Sequence, residues 1–163
     1  MDLEEQIQTL IDDAPADGIT PQIVEAIAPV LSHFAGQLQY AEYYILQTLN
    51  QGWLLTTLSN RANPKVEKNV IYAFPTLKDA ADFDSHSASD PQVMALPVPV
   101  THILFQMLAI DNVNSLVFFD TPGNLASGTE VRRGDLQKSV QVQLQKVHPA
   151  TESYPSNLPP DIA

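Results

Sequence analysis

Apolar residues recur along this chain with two different periods, and the change of period divides it. Near the start, Leu3, Ile7, Leu10 and Ile11 follow helical spacing, with Asp2, Glu4 and Glu5 at the end where a helix dipole favours negative charge. Ala14 to Gly18 carries turn residues. A second helical face follows, made of Ile23, Ile27, Val30, Leu31 and Phe34. Its start is read as Thr20 at the N-cap, Pro21 in the first helical position and Ile19 stapled on Val24. Pro29 inside that face is expected to kink or split the helix, because its ring meets the carbonyl of Glu25. Gly36 is expected to end it.

From residue 43 the period shortens. Leu38, Ala41, Ile45 and Leu49 fit a helix, but Tyr43, Tyr44, Ile45 and Thr48 are better strand formers. Asn50-Gln51-Gly52 reads as a hairpin connection into WLLTTLS, and the hairpin is the preferred reading. Residues 61–68 (RANPKVEK) read as a polar loop before a strand at 69–74. Thr76 caps a short helix running through Asp79 to Phe83, and residues 84–91 form a small-residue loop. A strand at 92–97 is closed by Pro97 and Pro99. Thr101 then caps a helix with Ile103, Leu104, Met107 and Leu108 on its apolar face, and Asp111-Asn112 turns the chain.

SLVFFD lacks alternation, which predicts a central strand buried on both faces. Residues 121–128 read as a turn-rich loop. Asp135 caps a last helix bearing Leu136, Val140, Leu144 and Val147. The rival is a strand, since Val140, Val142 and Leu144 alternate with glutamines. Four prolines from His148 onward predict a disordered tail. The fold class is therefore α+β: a small mixed sheet of about five strands with flanking helices, preceded by an N-terminal helical pair. The expected organisation is a helical extension at 1–36, the α+β domain at 37–147 and the tail at 148–163. Ile71, Phe74, Leu104, Leu108, Leu116, Val117 and Phe118 are expected to be buried together.

Charge narrows the partners. Nineteen acidic and eight basic residues give a formal net charge of −11. Binding to nucleic acid, or to an anionic membrane, needs a basic footprint, and only Arg132 and Arg133 are adjacent basics. Neither partner is expected. The chain has no cysteine, which removes disulfides and thiol chemistry and fits a reducing cytosol. Its first residues are acidic rather than a basic leader, and no apolar run approaches about 20 residues, the length that spans a bilayer. A cytoplasmic protein is expected.

The order strand, strand, VIYAFPTLKDAADF, strand and helix, SLVFFDTPGN and GTEVRRGDL resembles the N-terminal domain of SseB-like proteins over about residues 43–147. The matching pieces are Phe74-Pro75-Thr76, Leu104 to Ile110, and Thr121-Pro122-Gly123-Asn124 with Glu130 and Asp135. The loop reads TPGN where the family has NPG. The resemblance implies an extended hairpin, a strand running into a short helix, a strand-helix pair, then a hydrophobic strand, an acidic strand and a final helix. It carries over no catalytic residue. The chain as a whole also resembles proteins of cyanobacterial type.

Chemistry-bearing patterns are sparse. Asp82, Asp84, His86 and Asp90 sit at relative positions 1, 3, 5 and 9, as in a calcium loop. Ser87 stands where the sharp turn needs Gly, and Val93 where a bidentate Glu is required, so a solvated acidic loop is the reading. Asp120 ends an apolar strand as in nucleotide-binding proteins, but no phosphate loop accompanies it, and it is expected to bond the following turn. His33, His86, His102 and His148 are dispersed and read as partly buried structural residues. No catalytic, cofactor-binding or metal-binding residue is expected, and no cofactor.

Tyr40, Tyr43, Tyr44 and Trp53 cluster around the predicted hairpin. Core packing is the bland reading; the sharper one makes them anchors for a partner, since Tyr and Trp dominate interface hot spots. The leading functional expectation is a non-catalytic interaction or regulatory module. It would bind a protein partner or self-associate as a homodimer through residues 1–53. The alternatives are a small-ligand domain or enzyme using the loops at 74–76 and 121–124, and a structural subunit of a larger assembly.

Overall fold

The computed structural model describes residues 2–17, 19–48, 52–60, 62–87, 93–110 and 112–147. Among the described residues, five helices and six strands follow in the order α1 (Leu3–Asp13), α2 (Thr20–Gly36), β1 (Glu42–Gln47), β2 (Thr56–Asn60), β3 (Asn63–Phe74), α3 (Leu77–Ser87), β4 (Met94–Pro99), α4 (Val100–Ala109), β5 (Ser115–Thr121), β6 (Asn124–Arg132) and α5 (Arg133–Val147). The fold is α+β. The sheet runs β4-β1-β3-β5-β6, with β2 added to β3. All neighbours are antiparallel except β3 and β5, which pair in parallel from Val70 opposite Ser115 to Ala73 opposite Phe118. That parallel pair requires a crossover, and α3, β4 and α4 supply it.

The sheet has two unlike faces because strand side chains alternate. Tyr43, Ile45, Ile71, Ala73, Leu116 and Phe118 point to one face, where α1, α2, α4 and α5 cover them in a single core. Leu46, Phe74 and Phe119 point to the other, where they pack with Ala80 of α3. The expected core therefore divides. Ile71, Leu104, Leu116 and Phe118 are buried together, whereas Phe74 is buried on the opposite face with Val117 half-buried beside it. Leu108 is half-buried at the helical layer.

The N-terminal helices belong to the main core rather than forming an extension. Ile7 of α1 and Ile27, Val30, Leu31 and Ala35 of α2 are buried in the same cluster as the sheet. A capping box between Asp2 and Glu5 starts α1. The start of α2 differs from the sequence reading. Thr20 is the first helical residue and Ile19 the N-cap, without a side-chain cap bond; Asp17, just upstream, accepts from the N–H groups of Ile19 and Thr20 and from the Thr20 hydroxyl. Ile19 is 60% exposed and forms no staple. The helix runs unsplit through Pro29 and ends at Gly36 as expected.

The hairpin at 43–59 is only a stub. Gln47 bridges Trp53, but the chain then leaves β1 and β2 pairs with β3, from Thr56 opposite Val70 onward. The expected loop at 61–68 is largely strand, because β3 starts at Asn63. Residues 124–128, read as loop, open β6. Pro97 and Pro99 lie within β4, which tolerates them because its outer edge needs no donors. Helix α4 starts at Val100 without a side-chain cap; Thr101 is buried and bonds Gln6 instead. Its far end is closed by Arg133, which donates to the carbonyls of Met107 and Leu108. Residues 133–147 form a helix, not a strand. Asn50-Gln51, Asp111 and the tail at 148–163 lie outside the described residues.

Candidate functional site

Of the four aromatics expected to anchor a partner, Tyr43 is a core residue. It is fully buried, its ring meets Phe118 edge-on at 5.0 Å, and its hydroxyl accepts from the Tyr40 N–H. Burial pushes its phenol up, with the Tyr40 hydrogen bond opposing. Tyr44 points to the opposite sheet face beside Leu46 and Phe74. Tyr40 packs on Tyr43 at 5.7 Å. The hairpin therefore does not present the four as one surface.

Trp53 is placed differently. It is half-buried, and it lines a cleft of about 260 Å³ with Leu10, Asp13, Ala14 and Pro15 from the end of α1, Thr20 of α2, Val98 of β4, and His102, Phe105 and Gln106 of α4. The end of α1 and the β1–β2 connection thus converge. Beside this cleft, β4 leaves Leu96 37% and Met94 56% exposed. Leu96 is opposite Ile45 and Met94 opposite Gln47, so both point to the helical face, as Trp53 does through its bridge to Gln47. Phe105 also lines a neighbouring apolar groove with Ile23, which is 41% exposed.

The rim of the cleft is acidic. Asp13 lines it and is exposed, and exposed Asp17 bonds the lining residue Thr20. Asp12 and Asp13 occupy the last turn of α1, which holds no basic residue. Carboxylates there oppose the helix dipole. A sequence signal marks this region: the first 60 residues hold eight acids and neither Lys nor Arg.

The loops considered for a ligand meet through Asp79. Its carboxylate accepts from the Thr76 hydroxyl and from the Gly123 N–H, while the Thr76 oxygen caps α3 by accepting from the Asp79 N–H. Gly123 has φ of 79°, a left-handed conformation that suits glycine in the turn between β5 and β6. This cluster is closed on itself. Beside it, on the sheet face that α3 covers only in part, lies a recess of about 420 Å³ lined by Tyr72, Phe83, Val117, Phe119, Leu125, Ala126, Gly128 and Glu130. Tyr72 and Phe119 stack at 5.5 Å on its floor. Glu130 pairs with Lys68 and accepts from the Ser115 hydroxyl; those contacts, Lys68 first, hold its carboxyl below the usual range.

Other expected positions resolve individually. Asp82 to Ser87 is helical, part of α3, rather than half of a loop; Asp82 pairs with Lys78. The side chains of Asp84 and His86, together with Asp90 and His148, lie outside the described residues. Asp120 accepts from the Thr129 hydroxyl across the strand pair, not from the following turn. His33 is exposed and contacts Gln37, whereas His102 is half-buried against the Gln6 carbonyl. No helix among the described residues is long and apolar enough to cross a membrane. No family model matches this chain, and no curated protein matches it.

Proposed function

We propose that the chain is a non-catalytic interaction module whose contact face is the cleft beside Trp53. The observation that carries this reading is the convergence of an exposed-edged tryptophan, the apolar side chains Leu10, Val98 and Phe105, and an acidic rim. Buried aromatic anchors within a polar border are the usual anatomy of protein interfaces. The acidic rim suits a partner segment that is basic around an apolar anchor, and it would steer such a partner at low salt. The Asp13 charge, unfavourable for α1 alone, becomes favourable against that partner.

A test is co-purification from the native host using the wild type, Trp53→Ala, Asp13→Lys and, as a control on the other face, Leu125→Ala. The expected result is a partner retained by wild type and Leu125→Ala and lost from both cleft variants. Identical partners for all four proteins would refute the cleft as the contact face.

The aromatic recess supports a second reading, a small-ligand site. Its stacked Tyr72 and Phe119 floor suits a flat apolar ligand. Saturable quenching of tyrosine emission by such a ligand, abolished in Tyr72→Ala, is the expected sign; no quenching across aromatic test compounds removes this reading.

A further inference from the structure

The groove between α2 and α5 is electrostatically opposite to the rest of the chain. Val30, His33 and Phe34 of α2 face Lys138, Val142 and Lys146 of α5 across a cavity of about 360 Å³. Val142 is 45% exposed there. Among the described residues no carboxylate lines it. Of the four lysines whose side chains are described, Lys68 and Lys78 hold carboxylates, whereas Lys138 and Lys146 have no ion-pair partner among the described residues. In a chain with 19 acids and eight bases, two exposed lysines on one apolar groove mark a place for an acidic occupant.

The chain itself carries a matching element. Glu4, Gln8 and Asp12 form an exposed row along α1, on the side away from Leu10 and the cleft, with Gln8 bonded to Asp12. Glu4 and Asp12 are eight positions apart, as are Lys138 and Lys146. Eight helical residues span about 12 Å, so the two charged pairs have one pitch. Helices α1 and α5 each pack on α2. The helical layer therefore bears an acidic row and a basic row with α2 common to both.

We infer that the α2–α5 groove of one chain receives the acidic row of α1 from a second copy, and that the reciprocal contact forms at the same time. A twofold axis over the helical layer sets acid on base twice, which makes the surface self-complementary and the assembly a closed dimer. This association does not depend on the cleft reading, because it uses the other side of α1.

Charge reversal tests it in sedimentation velocity, which separates a 17.9 kDa chain from twice that mass. One variant carries Glu4→Lys with Asp12→Lys; the other carries Lys138→Glu with Lys146→Glu. All four positions are exposed, and circular dichroism checks that each variant is folded. The wild type is expected to be dimeric, and to weaken by about tenfold or more when salt is raised to about 1 M, where exposed charges are screened. Each variant alone is expected to be monomeric. Their equimolar mixture is expected to regain the dimer, since basic α1 then meets acidic α5 and the unchanged pair still matches. A monomeric wild type, a salt-insensitive dimer, a dimer that survives both reversals, or a mixture that stays monomeric would each overturn the proposal.

Discussion

Gln6 and Thr101 are joined by two hydrogen bonds that end on one oxygen. The Gln6 Oε1 accepts from the Thr101 N–H at 3.1 Å and from its hydroxyl at 2.7 Å. The Gln6 Nε2 donates to the Ala41 carbonyl at 2.8 Å, and Gln6 and Thr101 are both buried. One amide thus ties α1 to the start of α4 and to the entry of β1. Replacing Gln6 by Leu takes the acceptor from the buried Thr101 N–H and hydroxyl, while the Ala41 carbonyl keeps the Val100 N–H. The expected cost is about 2–4 kcal/mol, read as a lower midpoint in urea denaturation. A midpoint equal to wild type would mean that α1 is not fastened there. The tie also means that removing the first 18 residues would open the core, so point substitutions are the sound probe of α1.

Phe118 is the centre of the larger core. It lies on an interior strand, and its ring is held against Tyr43. Phe118→Ala is expected to lower stability by about 3–5 kcal/mol, the range for a large cavity in a packed core. A thermal midpoint within a few degrees of wild type would contradict the placement of β5.

Asp17 gives α2 a pH-sensitive start. Its carboxyl is lowered from 3.8 to about 2, chiefly by the Thr20 side chain and then by the N–H groups of Thr20 and Ile19. A depressed carboxylate contributes its full stabilisation above the unfolded value and loses it as pH falls through the folded one. The Asp17 contribution is therefore present above pH 3.8 and disappears toward pH 2. Asp17→Asn is expected to flatten the fall of the thermal midpoint across that interval. Parallel curves for the two proteins would show that Asp17 does not titrate there.

Much of this was legible in the sequence, and the misreadings have physical causes. The helical faces of α1, α2 and α4 were visible because burial on one side enforces periodicity. Residues 63–68 hid their strand because charged and polar residues sit comfortably where β3 meets only the short β2. Phe74 and Phe118 are both buried, and only strand pairing reveals that they face opposite ways. Thr20 and Thr101 have cap chemistry, but Asp17 supplied a stronger acceptor for one helix and Gln6 claimed the other hydroxyl. At the candidate site, Trp53 was named with Tyr40, Tyr43 and Tyr44 as one hairpin cluster, and the structure sets Trp53 apart from Tyr43 and Tyr44, against the end of α1. Tyr43 was drawn in by sequence proximity although alternation turns it inward. Phe105, Val98 and Leu96 were missed because their convergence needs β4 beside β1, a pairing between distant segments.

The central claim, that the cleft beside Trp53 takes a basic segment with an apolar anchor, is open to one direct measurement. Trp53 is the sole tryptophan, so its fluorescence reports on the cleft without labelling. The probe is an amphipathic helical peptide with lysines on one face and leucines on the other, titrated into the intact protein at low salt. The account expects a saturable blue shift as the peptide removes water from the indole, weakened at least about tenfold in Asp13→Lys as attraction turns to repulsion. An emission maximum that does not move, or one that moves equally in Asp13→Lys, would contradict it.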